Sequence, residues 1–94
     1  MTKNDGHVLR DEASREAILK RLKRAHGQLA GVIRMIEENR SCEEVVAQMS
    51  AVDKAVTTAA FTLLSASLKE CITDPRGMGD AETLRLQKLF LSLA

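Results

Sequence analysis

Cys42 and Cys71 are the two cysteines of this 94-residue chain, and thiols are the side chains here best suited to soft-metal binding and sulfur exchange. They lie 29 residues apart. On one helix at ~1.5 Å per residue that is roughly 43 Å, so the two thiols of one protomer do not meet. Yet 29 steps of about 100° come close to whole turns, and both thiols face one side. Two copies of that helix, antiparallel about a two-fold axis between Val56 and Thr57, set each Cys42 beside the partner's Cys71. The spacing therefore predicts a dimer with two thiol pairs, each built across a subunit interface.

Ser67 lies one turn before Cys71 on the same face and joins the predicted site. A thiolate pair supports two chemistries. It binds Cu(I), a soft ion, or one thiol takes up an oxidant or sulfur donor and the second resolves it. The competing reading, two small buried hydrophobes, accounts less well for the matched facing. Cys42 follows a helix start, where the dipole stabilises a thiolate, and is expected to be the attacking thiol, with Glu43 and Glu44 opposing that effect. His7, in the polar N-terminal stretch, reads as solvated or as a supplementary metal ligand, and His26, beside an apolar stripe, as structural. The chain has no CxxC, HxH or HExxH pattern and no Gly-rich phosphate loop. No general-base constellation accompanies the cysteines, so the chain does not read as an enzyme.

A second feature is a one-signed run. No acid occurs from Ala17 to Ile36, while Lys20, Arg21, Lys23, Arg24 and Arg34 all do. On a helical wheel Lys20, Lys23, Arg24 and Arg34 share an arc opposite the apolar stripe and Arg21 flanks it. A solvated face is the plain alternative. Repeated in an oligomer, however, such cationic helices suit a phosphate backbone. No helix-turn-helix spacing is present to nominate base-reading residues.

These side chains need helices to position them, and the sequence supplies three. The first is expected from about Ser14, its N-cap, to Asn39, with the stripe Ile18, Leu22, Ala25, Leu29, Val32, Ile33 and Ile36. Asn39 to Ser41 forms the turn. Ser41 caps the second helix, with Glu44 completing a capping-box pattern. That helix runs from about Cys42 to Thr73, ended by Pro75 and Gly77. Its apolar side carries Cys42, Val45, Val46, Met49, Val52, Val56, Ala60, Leu63, Leu64, Ser67 and Cys71, long enough to suit a partner helix of equal length. Asp53 intrudes on it, marking either a seam or its edge. Gly77 to Asp80 reads as a linker, with Asp80 capping a third helix, Ala81 to Leu93, whose face is Leu86, Leu89, Phe90 and Leu93.

The expectation is thus an all-α, three-helix protomer, a long antiparallel hairpin plus a short third helix. Residues 1–13 form a flexible arm and residues 14–94 a single domain. Composition agrees: no Trp or Tyr, a single Pro, and a chain small enough to gain from oligomerisation. Net charge is +1, but residues 1–40 hold nine Lys/Arg against six acids and residues 41–94 five against seven. The first 13 residues lack the apolar run of a signal peptide, and no stretch reaches membrane-spanning length, so a cytoplasmic protein with reduced thiols is expected.

The run Arg21-Leu22-Lys23-Arg24-Ala25-His26-Gly27-Gln28-Leu29, then Arg34-Met35-Ile36-Glu37-Glu38, Cys42, Gln48-Met49-Ser50-Ala51-Val52 and Leu68-Lys69-Glu70-Cys71, resembles the CsoR/RcnR family of bacterial repressors. The likeness covers about Ile18 to Ile72. It implies a homotetramer, a dimer of dimers, with the inducer site between protomers and operator DNA bound on basic helix surfaces. The family's DNA-contacting arginine of the first helix matches Arg21. A second falls on Thr58, with Lys54 one turn earlier as the substitute; Lys20, Lys23 and Arg24 add phosphate contacts.

Copper sensors of that family place Cys, His and Cys at positions corresponding to Cys42, Ser67 and Cys71, so the histidine is missing here. Nickel and cobalt sensors need histidine at and beside position 67, and formaldehyde sensors a proline where Thr2 stands. The persulfide-sensing, CstR-like branch keeps both cysteines and lacks the histidine, as this chain does. The resemblance thus implies a repressor that senses reactive sulfur through Cys42 and Cys71, with no cofactor and a small sulfur donor as inducer. Cu(I) sensing by the same two thiolates is the alternative.

Overall fold

The computed structural model describes residues 7–73 and 79–93. Three helices follow in order: α1 (Glu12–Glu37), α2 (Cys42–Ile72) and α3 (Gly79–Leu93). No strand occurs among the described residues.

α1 begins two residues before the expected start because Asp11, not Ser14, is its N-cap. The Asp11 carboxylate accepts the Ser14 backbone N–H at 3.0 Å and the Ser14 hydroxyl at 2.6 Å. An aspartate one turn upstream thus outcompetes the serine and turns it into its partner. α1 ends with Asn39 in the left-handed region, φ 60°. From there the Asn39 N–H reaches Ile36 O at 3.1 Å and the Arg40 N–H reaches Met35 O at 3.0 Å, satisfying two terminal carbonyls. Ser41 caps α2 as expected: its hydroxyl accepts the Glu44 N–H and donates to the Glu44 carboxylate, both at 3.2 Å. Pro75 and Gly77, expected to stop α2, lie outside the described residues. α3 starts at Gly79, so Asp80 lies within the helix and does not cap it.

The first two helices form the antiparallel hairpin. Its buried positions repeat every seven residues: Ile18, Ala25 and Val32 on α1, Val45, Val52 and Ala59 on α2. A seven-residue repeat is the seam of helices crossing at a shallow angle. Val32 packs with Val45 and Val52 toward the turn, and Ile18 with Ala59 and Leu9 at the far end. The broad stripes expected from the sequence therefore split in two. Leu22, Leu29, Ile33 and Ile36 of α1, and Val46, Met49, Val56 and Leu63 of α2, stay exposed. Leu22 and Leu63 line one open groove of about 250 Å³, and Ile36 and Val46 another of about 410 Å³. The exposed residues of both helices thus lie on one side of the hairpin.

α3 packs against α2, with Phe61 and Phe90 edge to face, ring centroids 4.8 Å apart. Leu86 and Phe90 are half-buried, whereas Leu89 and Leu93, expected on the same face, are exposed. The chain is elongated, 55 × 27 × 24 Å, with a radius of gyration of 16.9 Å. A compact globule of this length would have about 12 Å. One rod-like hairpin with an apolar side lacks a second layer.

Candidate functional site

The two thiols occupy opposite ends of α2 in different surroundings. Cys42 is the first residue of α2, exposed, on the groove it shares with Ile36, Asn39, Arg40, Val45 and Val46. Arg40 donates to the Glu44 carboxylate, and this guanidinium, with the Ser41 hydroxyl, holds the Glu44 carboxyl below the ordinary carboxylate range. One of the two acids expected to oppose a thiolate at Cys42 is therefore already paired.

Cys71 sits in the last turn of α2 and is buried, 5 % exposed; Ser67, one turn earlier, is equally buried. The structure thus brings Ser67 and Cys71 together, while Cys42 stands at the other end of the rod. Among the described residues no group of three or more His, Cys, Asp or Glu could hold a metal ion within one protomer. Two thiolates suit Cu(I), whereas a serine hydroxyl is a poor ligand for a soft ion. The donor set fits the ion only if two protomers contribute to it.

Three residues at the Cys71 end were given no role by the sequence reading: Leu9, Glu70 and Glu82. The Glu70 carboxylate accepts the N–H of Arg10 at 3.0 and 3.2 Å and that of Asp11 at 2.8 Å, and His7 Nε2 lies 2.8 Å from it. The His7 backbone N–H donates to Glu82 Oε2 at 2.7 Å. Residues 7–11 are therefore tied to α2 and α3, contrary to the loose arm expected over residues 1–13; residues 1–6 lie outside the described residues. His7 is correspondingly not a solvated side chain, being only 14 % exposed. The Arg10 N–H leads the contacts that hold the Glu70 carboxyl below its ordinary value, followed by Asp11 N–H and the His7 ring, with burial acting the other way. The apolar Leu9 inside a polar stretch was the one available clue; it is buried against Ile18 and Ala59.

Lys20, Arg21, Lys23, Arg24 and Lys54 are all exposed, and none forms an ion pair among the described residues. Wheel positions put Lys20, Arg24 and Lys54 on the side of the hairpin away from the exposed apolar face, with Arg21 next to the buried seam. His26 and Asp53 are exposed as well; Asp53 lies one turn from both Met49 and Val56, within the apolar side.

A family model described as a metal-sensitive transcriptional repressor matches residues 14–91. The copper-sensing transcriptional repressor CsoR of Bacillus subtilis is 36% identical over 81 residues, 84% of this chain and 80% of that protein. The copper-sensing transcriptional repressor RicR of Mycobacterium tuberculosis is 46% identical over 54 residues, 57% of this chain; the match spans little more than half of that protein, 56%. Among solved structures, the nickel-responsive transcriptional regulator InrS superposes with a TM-score of 0.70 at 30% identity, over 94% of this chain and 98% of that one. No helix among the described residues is long and apolar enough to cross a membrane.

Proposed function

The chain belongs to the metal-sensitive transcriptional repressor family, and on that premise we propose that it represses transcription by holding operator DNA on Arg21, Lys20, Lys23, Arg24 and Lys54 and releases it when Cu(I) joins Cys42 of one protomer to Cys71 of another. The copper-sensing relatives favour this inducer over the reactive sulfur to which the missing histidine pointed. The observation that carries the reading is the single apolar side of the hairpin, bordered by Cys42 at one end and continued by Ser67 and Cys71 along the same helix face. A second copy packed antiparallel on that side buries the apolar residues and completes two thiol pairs at once. Two such dimers make the tetramer, with residues 14–94 of each chain acting as one domain. The only thermodynamic requirement is that the inducer-bound assembly hold DNA more weakly than the free one.

One observation keeps a second reading in play. Ser67 stands buried beside Cys71 where an imidazole would complete a three-donor copper site. Its hydroxyl can donate to a thiolate or a persulfide anion. In this reading, that of the CstR-like branch, a persulfide donor RSSH transfers its outer sulfur to Cys42 and leaves as RSH. The thiolate of Cys71 from the other protomer then attacks the inner sulfur, giving a disulfide and H₂S. Reduced protein exposed separately to Cu(I) and to a persulfide, followed by mass spectrometry and a DNA-release assay, separates the two. Cu(I) uptake in competition with a chelator, lost in Cys42→Ala and Cys71→Ala and coupled to DNA release, supports copper. A covalent dimer on non-reducing gels, lost in either variant and coupled to DNA release, supports sulfur. No binding of the chain's own promoter region at low salt would end both.

A further inference from the structure

We propose that Glu70 is a positioning residue for its neighbour Cys71: it fastens residues 7–11 as a strap over the end of α2, and release of that strap sets how fast a reagent reaches the Cys71 thiol. Within a single chain the two thiols differ sharply in exposure although they lie at opposite ends of the same helix. The end that is buried is the end that carries the strap. Glu70 anchors it with two backbone N–H groups, those of Arg10 and Asp11, and with the His7 ring. His7 then reaches across to α3 through its own N–H on Glu82, so one residue links α2, at Glu70 next to Cys71 in sequence, to α3. Leu9 inserts between Ile18 and Ala59 and adds an apolar plug to the polar catch. Hydrogen bonds from backbone N–H to a carboxylate are stronger than neutral ones, yet a five-residue segment held mainly by one side chain opens far more often than the helices beneath it. The arrangement is a latch whose main catch is Glu70.

This inference borrows from the repressor reading only the notion that Cys71 meets an inducer; the access it describes is a property of the reduced protein alone. The test is a timed pulse of iodoacetamide on the reduced full-length protein, with peptide mass spectrometry at both cysteines and circular dichroism to follow helix content. Glu70→Ala, which removes the catch, is expected to raise the Cys71 rate on the order of tenfold while leaving the Cys42 rate unchanged. Glu70→Gln is expected to fall between, because its amide oxygen still accepts from Arg10 and Asp11. If Glu70→Ala speeds both thiols together, the fold has loosened, and His7→Ala, which deletes only the ring bridge, decides: a rise confined to Cys71 supports the latch. Equal Cys71 rates in wild type, Glu70→Ala and His7→Ala, with helix content retained, would overturn it. Neither DNA nor inducer enters the measurement, so loss of the repressor reading leaves the result interpretable.

Discussion

Val56→Asp tests the antiparallel pairing on which the thiol site depends. Val56 is 45% exposed in the protomer and lies beside the expected two-fold axis. Full burial of a valine side chain is worth about 1.5 kcal/mol, so covering the exposed part contributes roughly 0.7 kcal/mol per protomer and, by symmetry, ~1.4 kcal/mol per dimer. The substitution forfeits that and sets two carboxylates across the axis. At ~8 Å and an effective dielectric constant of about 20 their repulsion adds roughly 2 kcal/mol. Asp53, one turn away, adds like charge. The sum, about 3–4 kcal/mol, weakens the dimer by roughly two to three orders of magnitude. Sedimentation equilibrium over a concentration series reads this directly, with circular dichroism confirming helix content. The same variant should lose any Cys42-to-Cys71 cross-link between chains. A variant that self-associates like the wild type with its helices intact would refute the pairing.

Four other outcomes follow from particular side chains. Arg21→Ala should weaken operator binding and reduce the slope of log affinity against log salt by about 0.9 for each phosphate it no longer neutralises, as read by fluorescence anisotropy at several ionic strengths; an unchanged slope removes Arg21 from the interface. Asn39→Gly relieves a left-handed residue, φ 60°, and should stabilise the hairpin by about 0.5–1 kcal/mol in urea unfolding. Ala59→Leu overfills the most buried position, 1% exposed, and should destabilise the protomer by about 1–3 kcal/mol. The Ser14 hydroxyl, then its N–H, holds the Asp11 carboxyl below its ordinary value of 3.8. A lowered folded value means that this cap's contribution is complete above pH 3.8 and fades as pH falls through the lowered value. Asp11→Asn, which still caps but does not titrate there, should flatten that part of the melting-temperature profile.

Local features are legible in the order of the residues. Helix content, the Asn39 turn and the Ser41–Glu44 cap follow from residues within one or two turns of each other; the two thiols restrict the chemistry to soft-metal binding or sulfur exchange without choosing between them. Where two local signals competed, as with Asp11 and Ser14, the pattern alone did not rank them; the carboxylate prevailed because it takes both the N–H and the hydroxyl of the serine. Which apolar residues close the hairpin depends on how the two helices pack. One turn of helix offers neighbouring hydrophobic positions, and a shallow crossing buries every seventh residue and leaves the rest for a second layer. The folded chain also shelters Cys71 and leaves Cys42 open, and it fastens its start to the end of α2, His7 to Glu70 across 63 residues of sequence. A pairing that distant leaves no periodicity to read: it exists because the hairpin brings the start of α1 beside the end of α2.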